Sequence, residues 1–383
     1  MKEVNFLMSN WGNSHQINRF LEIEKLGYLC NLYVFERLIY ESRVKRNYVS
    51  LGKIAPGKYK NRILTYFKVL FKLNRLLNEK DIFYVFGLDI ILLLTLVLIF
   101  KRKNKNIKII YEVPDIRPIQ YGTSIKSSVV RFLEKLSFKN IKLLIVTSES
   151  YFTEFYKNSH NYPEVIFYEF ENKLHQSKEE LKSSKNFKCL PANKLINSRG
   201  KLIIGYFGMI RDPKSLVTLI ELSMTNKFFI IIRGVFMKNC EKFHTEIISS
   251  KNMFFGGSYF SPNDLDKMYS EIDISWVVYP YNSSKEGNWK WAKTNRFYEA
   301  GFFKIPMIGL IGSKDGEIIK NNDLGLEVDL SNSKKALMTL EKINVQKINI
   351  WKENITELPI ENFVYTNEYD NLNSLMQNIV YES

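Results

Sequence analysis

The sequence lacks several common signatures, and each absence excludes a class of protein. Its 383 residues include only three cysteines, with no CxxC pair and no zinc-binding spacing, so no disulfide framework is expected. Such sparse thiols fit a reducing compartment. The N-terminal segment has neither an apolar signal core nor a small-residue cleavage site, so secretion is not predicted. The common GxGxxG dinucleotide fingerprint is also missing.

An uninterrupted transmembrane run is missing as well. Residues 82–100 are apolar and about long enough to span a bilayer, which takes roughly 20 residues. Gly87 and Asp89 interrupt the run. We therefore predict a strand at 81–86, a turn with Asp89 as the helix cap, and a buried helix at 90–102.

Acidic residues are absent from the stretch 43–75. It holds ten Lys or Arg interleaved with apolar residues, and the whole chain has a net charge of +15. A basic amphipathic segment is typical of proteins that bind an anionic membrane surface, which favours a cytoplasmic protein at the inner face of the cell membrane. The alternative is a helix that covers a sheet and keeps its lysines in solvent. No zinc-finger spacing, RNP-like motif or basic recognition helix is present, so nucleic acid is not the expected partner.

Strand-like and helix-like segments alternate along most of the chain, which predicts α/β domains of the Rossmann-like kind. The length allows two domains of ordinary size. A stretch rich in Lys, Ser, Asn and Glu breaks the alternation. We predict a first domain at 1–172, a linker at 173–199 with one short helix at 178–182, and a second domain at 200–345. Residues 346–383 are predicted to return to the first domain through a final helix.

The stretch 294–317 predicts a helix, a turn and a buried strand. Thr294 can cap the helix with its hydroxyl. Glu299 lies in the middle of that helix, where helix statistics alone favour a solvated side chain. The segment NRFYEAG at 295–301, followed by Pro306, resembles the donor-site signature of family-4-like glycosyltransferases of the GT-B type.

This resemblance implies specific roles for the helix. Its N-terminus, formed by Thr294, Asn295 and Arg296, would face the phosphates of a nucleotide sugar. Glu299 would hold the ribose hydroxyls.

A second candidate segment lies before the stretch 294–317. It has the pattern of a strand, a tight loop and the start of a helix. Gly208 lies in the loop, and Arg211 and Lys214 follow it. The two cations can neutralise a diphosphate, Arg as a planar fork and Lys as a point charge. The alternative is two surface cations after a turn. The segment resembles the G-x-x-G-R-x-x-x-K loop of the same enzymes, with Ser215 where that family usually has Gly.

Two further loops are candidates for donor contacts. Gly12 and Asn13 lie in the first strand-turn-helix unit, and a helix start of this kind is a suitable anion site. Tyr259 follows a Gly-Gly-Ser turn that approaches the nucleotide base in the resembled family. It would stack on the base or lie at the rim of the site.

Two segments hold candidates for the catalytic carboxylates. Asp115 follows a strand that ends at 113, and open α/β sheets bind ligands outside such strand ends. The resemblance places this Asp near the acceptor. Most family-4 enzymes have a Glu eight residues before the ribose-binding one, but Trp291 occupies that position here. Either Glu286 is the displaced first carboxylate, or the first carboxylate is lost.

The segment Asp264-Leu265-Asp266 has the DxD pattern, but it falls in the first turn of a predicted helix, where acidic residues are expected.

The resemblance implies two Rossmann-like domains that face across a cleft, the GT-B arrangement. It implies transfer of a sugar from a nucleotide-sugar donor to a saccharide or polyprenyl-linked acceptor, as in bacterial surface polysaccharide synthesis. It further implies retention of configuration, no metal and no cofactor. The alternatives are a non-catalytic GT-B-like nucleotide-binding partner, a GT-B epimerase or phosphorylase, and a basic nucleic-acid-binding protein.

Overall fold

The computed structural model describes residues 3–10, 14–37, 46–54, 59–100, 107–175, 187–280 and 287–381. The chain forms two compact units. Unit 1 comprises residues 1–171 together with 367–383, and unit 2 comprises residues 172–366.

Unit 1 is built on a parallel sheet of seven strands in the order β3-β2-β1-β4-β5-β6-β7. The strands are β1 (Glu3–Met8), β2 (Leu29–Arg37), β3 (Val49–Ile54), β4 (Ile82–Phe86), β5 (Lys108–Val113), β6 (Ile141–Val146) and β7 (Phe167–Glu169). The helices are α1 (Ser14–Lys25), α2 (Tyr59–Glu79), α3 (Leu88–Phe100), α4 (Pro118–Tyr121) and α5 (Ile125–Ser137), with a π-type helix at Tyr151–Ser159. The final helix of the chain, which also belongs to unit 1, spans Glu368–Tyr381.

The apolar run at 82–100 divides into strand and helix, as predicted. All residues of β4 are buried, and Gly87 turns the chain at a positive φ of 84°. Correcting the predicted cap, α3 already begins at Leu88, so Asp89 lies inside its first turn. Its carboxylate pairs with Arg117 at 2.6 Å. Across the described parts of the chain, no helix is long and apolar enough to cross a membrane.

The acid-free stretch at 43–75 contains a strand and most of a helix. Residues 43–45 and 55–58 lie outside the described residues, β3 occupies Val49–Ile54, and α2 begins at Tyr59. The strand was not predicted. One face of α2 packs into unit 1 through Val69, Leu73 and Leu77, all 0% exposed.

Unit 2 is built on a parallel sheet of six strands in the order β10-β9-β8-β11-β12-β13. The strands are β8 (Leu202–Ile210), β9 (Phe228–Phe236), β10 (Met253–Phe255), β11 (Ile274–Trp276), β12 (Met307–Leu310) and β13 (Gly325–Val328). The helices are α6 (Ala192–Ser198), α7 (Pro213–Met224), α8 (His244–Ser249), α9 (Leu265–Ser270), α10 (Asn288–Trp291), α11 (Asn295–Phe302), α12 (Lys314–Asn321), α13 (Ser333–Leu340) and α14 (Val345–Glu357), and the helix at Glu368–Tyr381 is α15. Short 3₁₀ turns lie at Glu241–Phe243 and Ile360–Asn362.

The stretch between the two sheets differs in detail from the predicted linker. A short helix predicted at 178–182 lies outside the described residues. Residues 192–198 form α6, which was not predicted, and Phe187 and Leu190 pack on the core of unit 2. Leu174 forms a bridge with Val364, so this part of the chain is tied to unit 2 at both ends.

Both sheets reverse strand order beside their first strand. The reversal lies between β1 and β4 in unit 1 and between β8 and β11 in unit 2. Parallel α/β sheets bind ligands outside the carboxyl ends of the strands at such a point. This topology places the loops after β8 and β11 at the expected binding edge of unit 2.

Candidate functional site

The backbones of β8 and β9 approach each other closely near the candidate site in unit 2. Gly208 on β8 is paired with Gly234 on β9, and both have positive φ, 105° and 140°. A Cβ at position 234 would lie 1.7 Å from the carbonyl oxygen of Gly208, so only glycine fits there. A Cβ at position 208 would lie 3.9 Å from Oη of Tyr259. The structure thus brings Gly208 and Tyr259 together.

The predicted phosphate loop leads from β8 into α7. Arg211 is partly buried, and its Cζ lies 4.8 Å from the ring centroid of Tyr279, which follows β11. Lys214 is exposed in the first turn of α7. Both cations therefore stand at the edge where β8 and β11 end.

The side chain of Asp212 caps the start of α7. Asp212 accepts hydrogen bonds from the backbone nitrogens of Lys214 at 3.3 Å and Ser215 at 3.1 Å. Oγ of Ser215 donates to the same carboxylate at 2.6 Å and accepts from Nε1 of Trp276 at 2.9 Å. Because these amides already have an anionic partner, a bound diphosphate at this loop would depend on the side chains of Arg211 and Lys214.

The start of α11 is fixed from two sides. The hydroxyl of Thr294 accepts from the backbone nitrogen of Phe297 at 3.3 Å, which confirms the predicted cap. The backbone nitrogen of Thr294 donates to the buried carboxylate of Asp315 at 3.0 Å. Burial raises the pKa of Asp315 to about 7, against the opposing hydrogen bonds from Thr294 and the charges of Arg296 and Lys293.

Arg296 reaches from α11 to the middle of β8 and to the segment that follows β11. Its Nη2 donates to the carbonyl of Val278 at 3.0 Å, and its Cζ lies 5.3 Å from the ring centroid of Tyr206. Its Nη1 is buried and has no hydrogen-bond partner among the described residues. A buried guanidinium nitrogen without a partner is costly, so an anionic ligand at this edge would relieve that cost.

Glu299 is buried in unit 2 and does not lie on the solvent face of α11. It is 7% exposed, and its Oε2 accepts from the hydroxyl of Tyr269 at 2.8 Å. Burial raises the pKa of Glu299, and the Tyr269 hydrogen bond and the Arg296 charge offset part of that rise. Burial and the nearby Glu299 together raise the pKa of Tyr259. Glu299, Tyr259 and Arg296 therefore share one electrostatic environment.

The structure describes two of the five remaining predicted site residues, Asp115 and Asn295. Gly12, Asn13 and Glu286 lie outside the described residues. Asp115 is exposed in unit 1, after β5. Asn295 is exposed at the first position of α11.

Two other sequence features have structural explanations. Trp291, at the position of the family's first carboxylate, ends the short helix α10 and is 1% exposed. Asp264, the first acid of the DxD, is buried and accepts from the backbone nitrogen of Phe260 at 2.7 Å, so its carboxylate holds a turn. No group of His, Cys, Asp or Glu among the described residues could hold a metal ion.

Sequence reasoning missed four residues of the site. The pair Asp212-Pro213 could have predicted the start of α7, since Asp is favoured at the helix cap and Pro at the next position. Ser215 was noted only as a departure from the family pattern. Tyr269 and Asp315 have no local signal, because their partners Glu299 and Thr294 are 30 and 21 residues away.

Comparison with known proteins shows one curated relative. No protein-family model matches the chain. The succinoglycan biosynthesis protein ExoL of Rhizobium meliloti (strain 1021) is 24% identical over 292 residues, which cover 73% of this chain and 69% of ExoL.

Solved structures match the whole chain at low identity. Sucrose-phosphate synthase from Thermosynechococcus elongatus superposes with a TM-score of 0.67 at 14% identity, covering 100% of both chains. HepE from Anabaena, in complex with UDP and glucose, gives 0.67 at 12% identity over 99% of this chain and 100% of HepE. WaaG, a glycosyltransferase involved in lipopolysaccharide biosynthesis, gives 0.64 at 13% identity over 99% of this chain and 100% of WaaG. With a parallel Rossmann-like sheet in each unit, the chain has the GT-B fold of the glycosyltransferases that its sequence resembles.

Proposed function

We propose that the protein is a glycosyltransferase that moves a sugar from a nucleotide-sugar donor to a saccharide or lipid-linked acceptor in bacterial surface polysaccharide synthesis. The observation that carries the proposal is the buried Glu299 beside Tyr259 and Arg296 at the carboxyl edge of the unit 2 sheet. An ionised carboxylate can accept hydrogen bonds from both hydroxyls of a ribose. The name of the relative ExoL, which refers to succinoglycan biosynthesis, supports the polysaccharide setting.

Three cations are candidates for contacts with the diphosphate. Arg211 and Lys214 lie after β8, and Arg296 offers the buried Nη1. When the glycosidic bond to the nucleotide breaks, negative charge grows on the departing diphosphate. Preorganised positive groups stabilise that charge most strongly when they are already in place. These side chains would supply the stabilisation that a divalent metal gives in other glycosyltransferases, so we propose metal-independent transfer, with retention as the family resemblance implies.

The acceptor side of the proposal rests on unit 1. The outward face of α2 exposes Leu64, Phe67 and Phe71 to 74%, 58% and 76%. Lys68, Lys72 and Arg75 are exposed on the same helix. Apolar side chains flanked by cations suit attachment to an anionic membrane. We therefore propose a peripheral protein at the inner face of the cell membrane that takes a polyprenyl-linked acceptor near Asp115.

A non-catalytic nucleotide-binding protein is the second candidate. The buried Trp291 at the position of a family carboxylate favours it. It predicts binding of a nucleoside diphosphate without turnover of any nucleotide sugar.

A thermal-shift panel of UDP-, GDP-, ADP- and TDP-sugars tests the proposed donor site. A ligand at 100 times its dissociation constant should stabilise the fold by about 2.7 kcal/mol. One base should give a clear rise in melting temperature, and Glu299→Gln should reduce it. A folded protein that no nucleotide or nucleotide sugar stabilises would remove the proposed function.

A further inference from the structure

His15 and Glu112 form a hydrogen-bonded pair at the carboxyl edge of the sheet in unit 1. Glu112 is the last residue but one of β5, and His15 lies in the first turn of α1. Nε2 of His15 lies 2.8 Å from Oε1 of Glu112. This edge is next to the strand-order reversal between β1 and β4, where an α/β sheet binds ligands.

Glu112 is held rigidly in its ionised form. It is 0% exposed, and it accepts hydrogen bonds from Nε of Arg19 at 3.2 Å and from the hydroxyl of Tyr84. Burial acting alone would raise its pKa, but Arg19, His15 and Tyr84 together lower the pKa to about 2. The carboxylate is therefore charged at neutral pH and accepts hydrogen bonds.

Arg19 is fixed in turn by aromatic rings. It is 1% exposed, and its Cζ lies 3.2 Å from the ring centroid of Phe170 and 5.4 Å from that of Tyr369 on α15. A buried ion pair of this kind needs good geometry to offset the cost of removing both charges from water. The rigid base beneath His15 thus includes the C-terminal helix of the chain.

His15 differs from the other partners of Glu112 because it reaches solvent. Its side chain is 25% exposed, whereas Arg19 is 1% exposed and Tyr84 is fully buried. In a neutral imidazole whose Nε2–H donates to Glu112, Nδ1 is an acceptor. No described residue forms a hydrogen bond with Nδ1. Arg19 supplies a full positive charge opposite Glu112, so Nδ1 of His15 can serve a ligand while Nε2 stays bonded to Glu112.

We propose that His15 is a substrate-binding residue whose Nδ1 accepts a hydrogen bond from a sugar hydroxyl, with Glu112 as its positioning residue. The inference rests on the proposed glycosyltransferase function and adds a carbohydrate contact in unit 1. The hydroxyl belongs to the saccharide acceptor, whose binding the proposed function assigns to unit 1.

Nitrogen NMR of ¹⁵N-histidine-labelled protein tests the contact directly. The chain has four histidines, so His160, His175 and His244 serve as internal references. We expect His15 to carry its proton on Nε2 in the free protein. The probes are UDP, UDP-glucose and a glucose oligosaccharide. A shift of the Nδ1 resonance with the oligosaccharide, but not with UDP or UDP-glucose, identifies the acceptor contact.

Two outcomes would overturn the inference: an imidazole protonated on both nitrogens in every state, or an Nδ1 resonance that the oligosaccharide does not move. Neither touches the proposed function, because stabilisation by nucleotides is measured separately and depends on unit 2. If no nucleotide binds, the oligosaccharide titration still decides the role of His15.

Matched variants give a kinetic reading of the same contact. His15→Phe removes both hydrogen bonds, whereas His15→Gln keeps an amide donor for Glu112 and a carbonyl acceptor. With UDP-glucose saturating, we expect His15→Phe to lower kcat/KM for the oligosaccharide acceptor about tenfold with unchanged UDP affinity, and His15→Gln to recover part of it. His160→Gln, in the same unit, is the control. Equal kcat/KM in all three variants, with only thermal stability altered, would reduce His15 to a structural role.

Discussion

The carboxylate of Asp315 accepts a hydrogen bond from the backbone nitrogen of Thr294 at 3.0 Å. Thr294 caps α11 and Asp315 lies in the first turn of α12, so the contact joins the starts of two helices. Asp315 is 2% exposed, and burial raises its pKa from 3.8 to about 7. The start of the helix that carries Arg296 and Glu299 is therefore coupled to a carboxylate that titrates near neutral pH.

Asp315→Asn should change how stability depends on pH. A raised pKa means that the folded state holds a proton which the unfolded state releases, so this group lowers the free energy of unfolding as pH rises from about 4 to 7. Below and above that window its contribution is constant. We expect the stability of the variant relative to wild type to increase across the window, measured by urea unfolding at a series of pH values.

Asp329→Asn is the control for that experiment. The hydrogen bond from Ser331 lowers the pKa of Asp329, so its contribution changes only below the window. Parallel stability curves for Asp315→Asn and wild type would show that Asp315 does not retain a proton in the folded protein.

Glu299→Gln should weaken the binding of a nucleoside diphosphate without unfolding the protein. The variant keeps an oxygen for the Tyr269 hydrogen bond but loses the charge that would accept two ribose hydroxyls. A hydrogen bond to a charged group is worth about 1.5–3 kcal/mol, so affinity should fall about 10- to 100-fold in calorimetry. Glu317→Gln, exposed on the neighbouring α12, is the control. Unchanged affinity in Glu299→Gln would remove Glu299 from the site.

Replacing both Arg211 and Lys214 with Ala should act on the diphosphate and leave the nucleoside contacts intact. Because Asp212 occupies the first amides of α7, no backbone donors there can replace the lost side chains. We expect transfer to be abolished and the affinity advantage of UDP over uridine to shrink, with Arg296 as the remaining cation. The double variant of Lys238 and Lys242 removes the same charge from exposed positions of unit 2 and controls for long-range electrostatics. Normal turnover by the Arg211 and Lys214 variant would show that the phosphate loop is misassigned.

Phe67→Ser combined with Phe71→Ser should reduce recovery with anionic liposomes. Both rings are exposed on α2, opposite the face that packs through Val69, Leu73 and Leu77. Wild type should co-sediment with anionic vesicles at low salt and less at high salt, because each Lys or Arg near such a surface contributes roughly 1 kcal/mol that salt screens. Met224→Ser combined with Met338→Ser removes exposed apolar side chains from unit 2 as a control. Full recovery of wild type in the supernatant with anionic and neutral vesicles at both salt concentrations would leave a soluble acceptor as the default.

Most of the strands and longer helices were predictable because they depend on local chemistry. Thr294 caps α11, Gly27 ends the turn after α1 at a φ of 89°, and the apolar run at 82–100 breaks at Gly87. The misses are elements whose stability comes from packing. Strand β3 has no strong alternation of its own but pairs with β2, and α6 lies in a polar stretch.

The sequence by itself determined the order of the elements, the helix caps and the motif that groups Arg296 with Glu299, since these follow from residues within a few positions of one another. Tertiary structure alone decided that Glu299 is buried against Tyr269, that Asp315 holds the start of α11, and that His15 meets Glu112 across 97 residues. Burial and pKa depend on which side chains the strand order brings together. That order is set by the packing of whole sheets and leaves no mark in a local pattern.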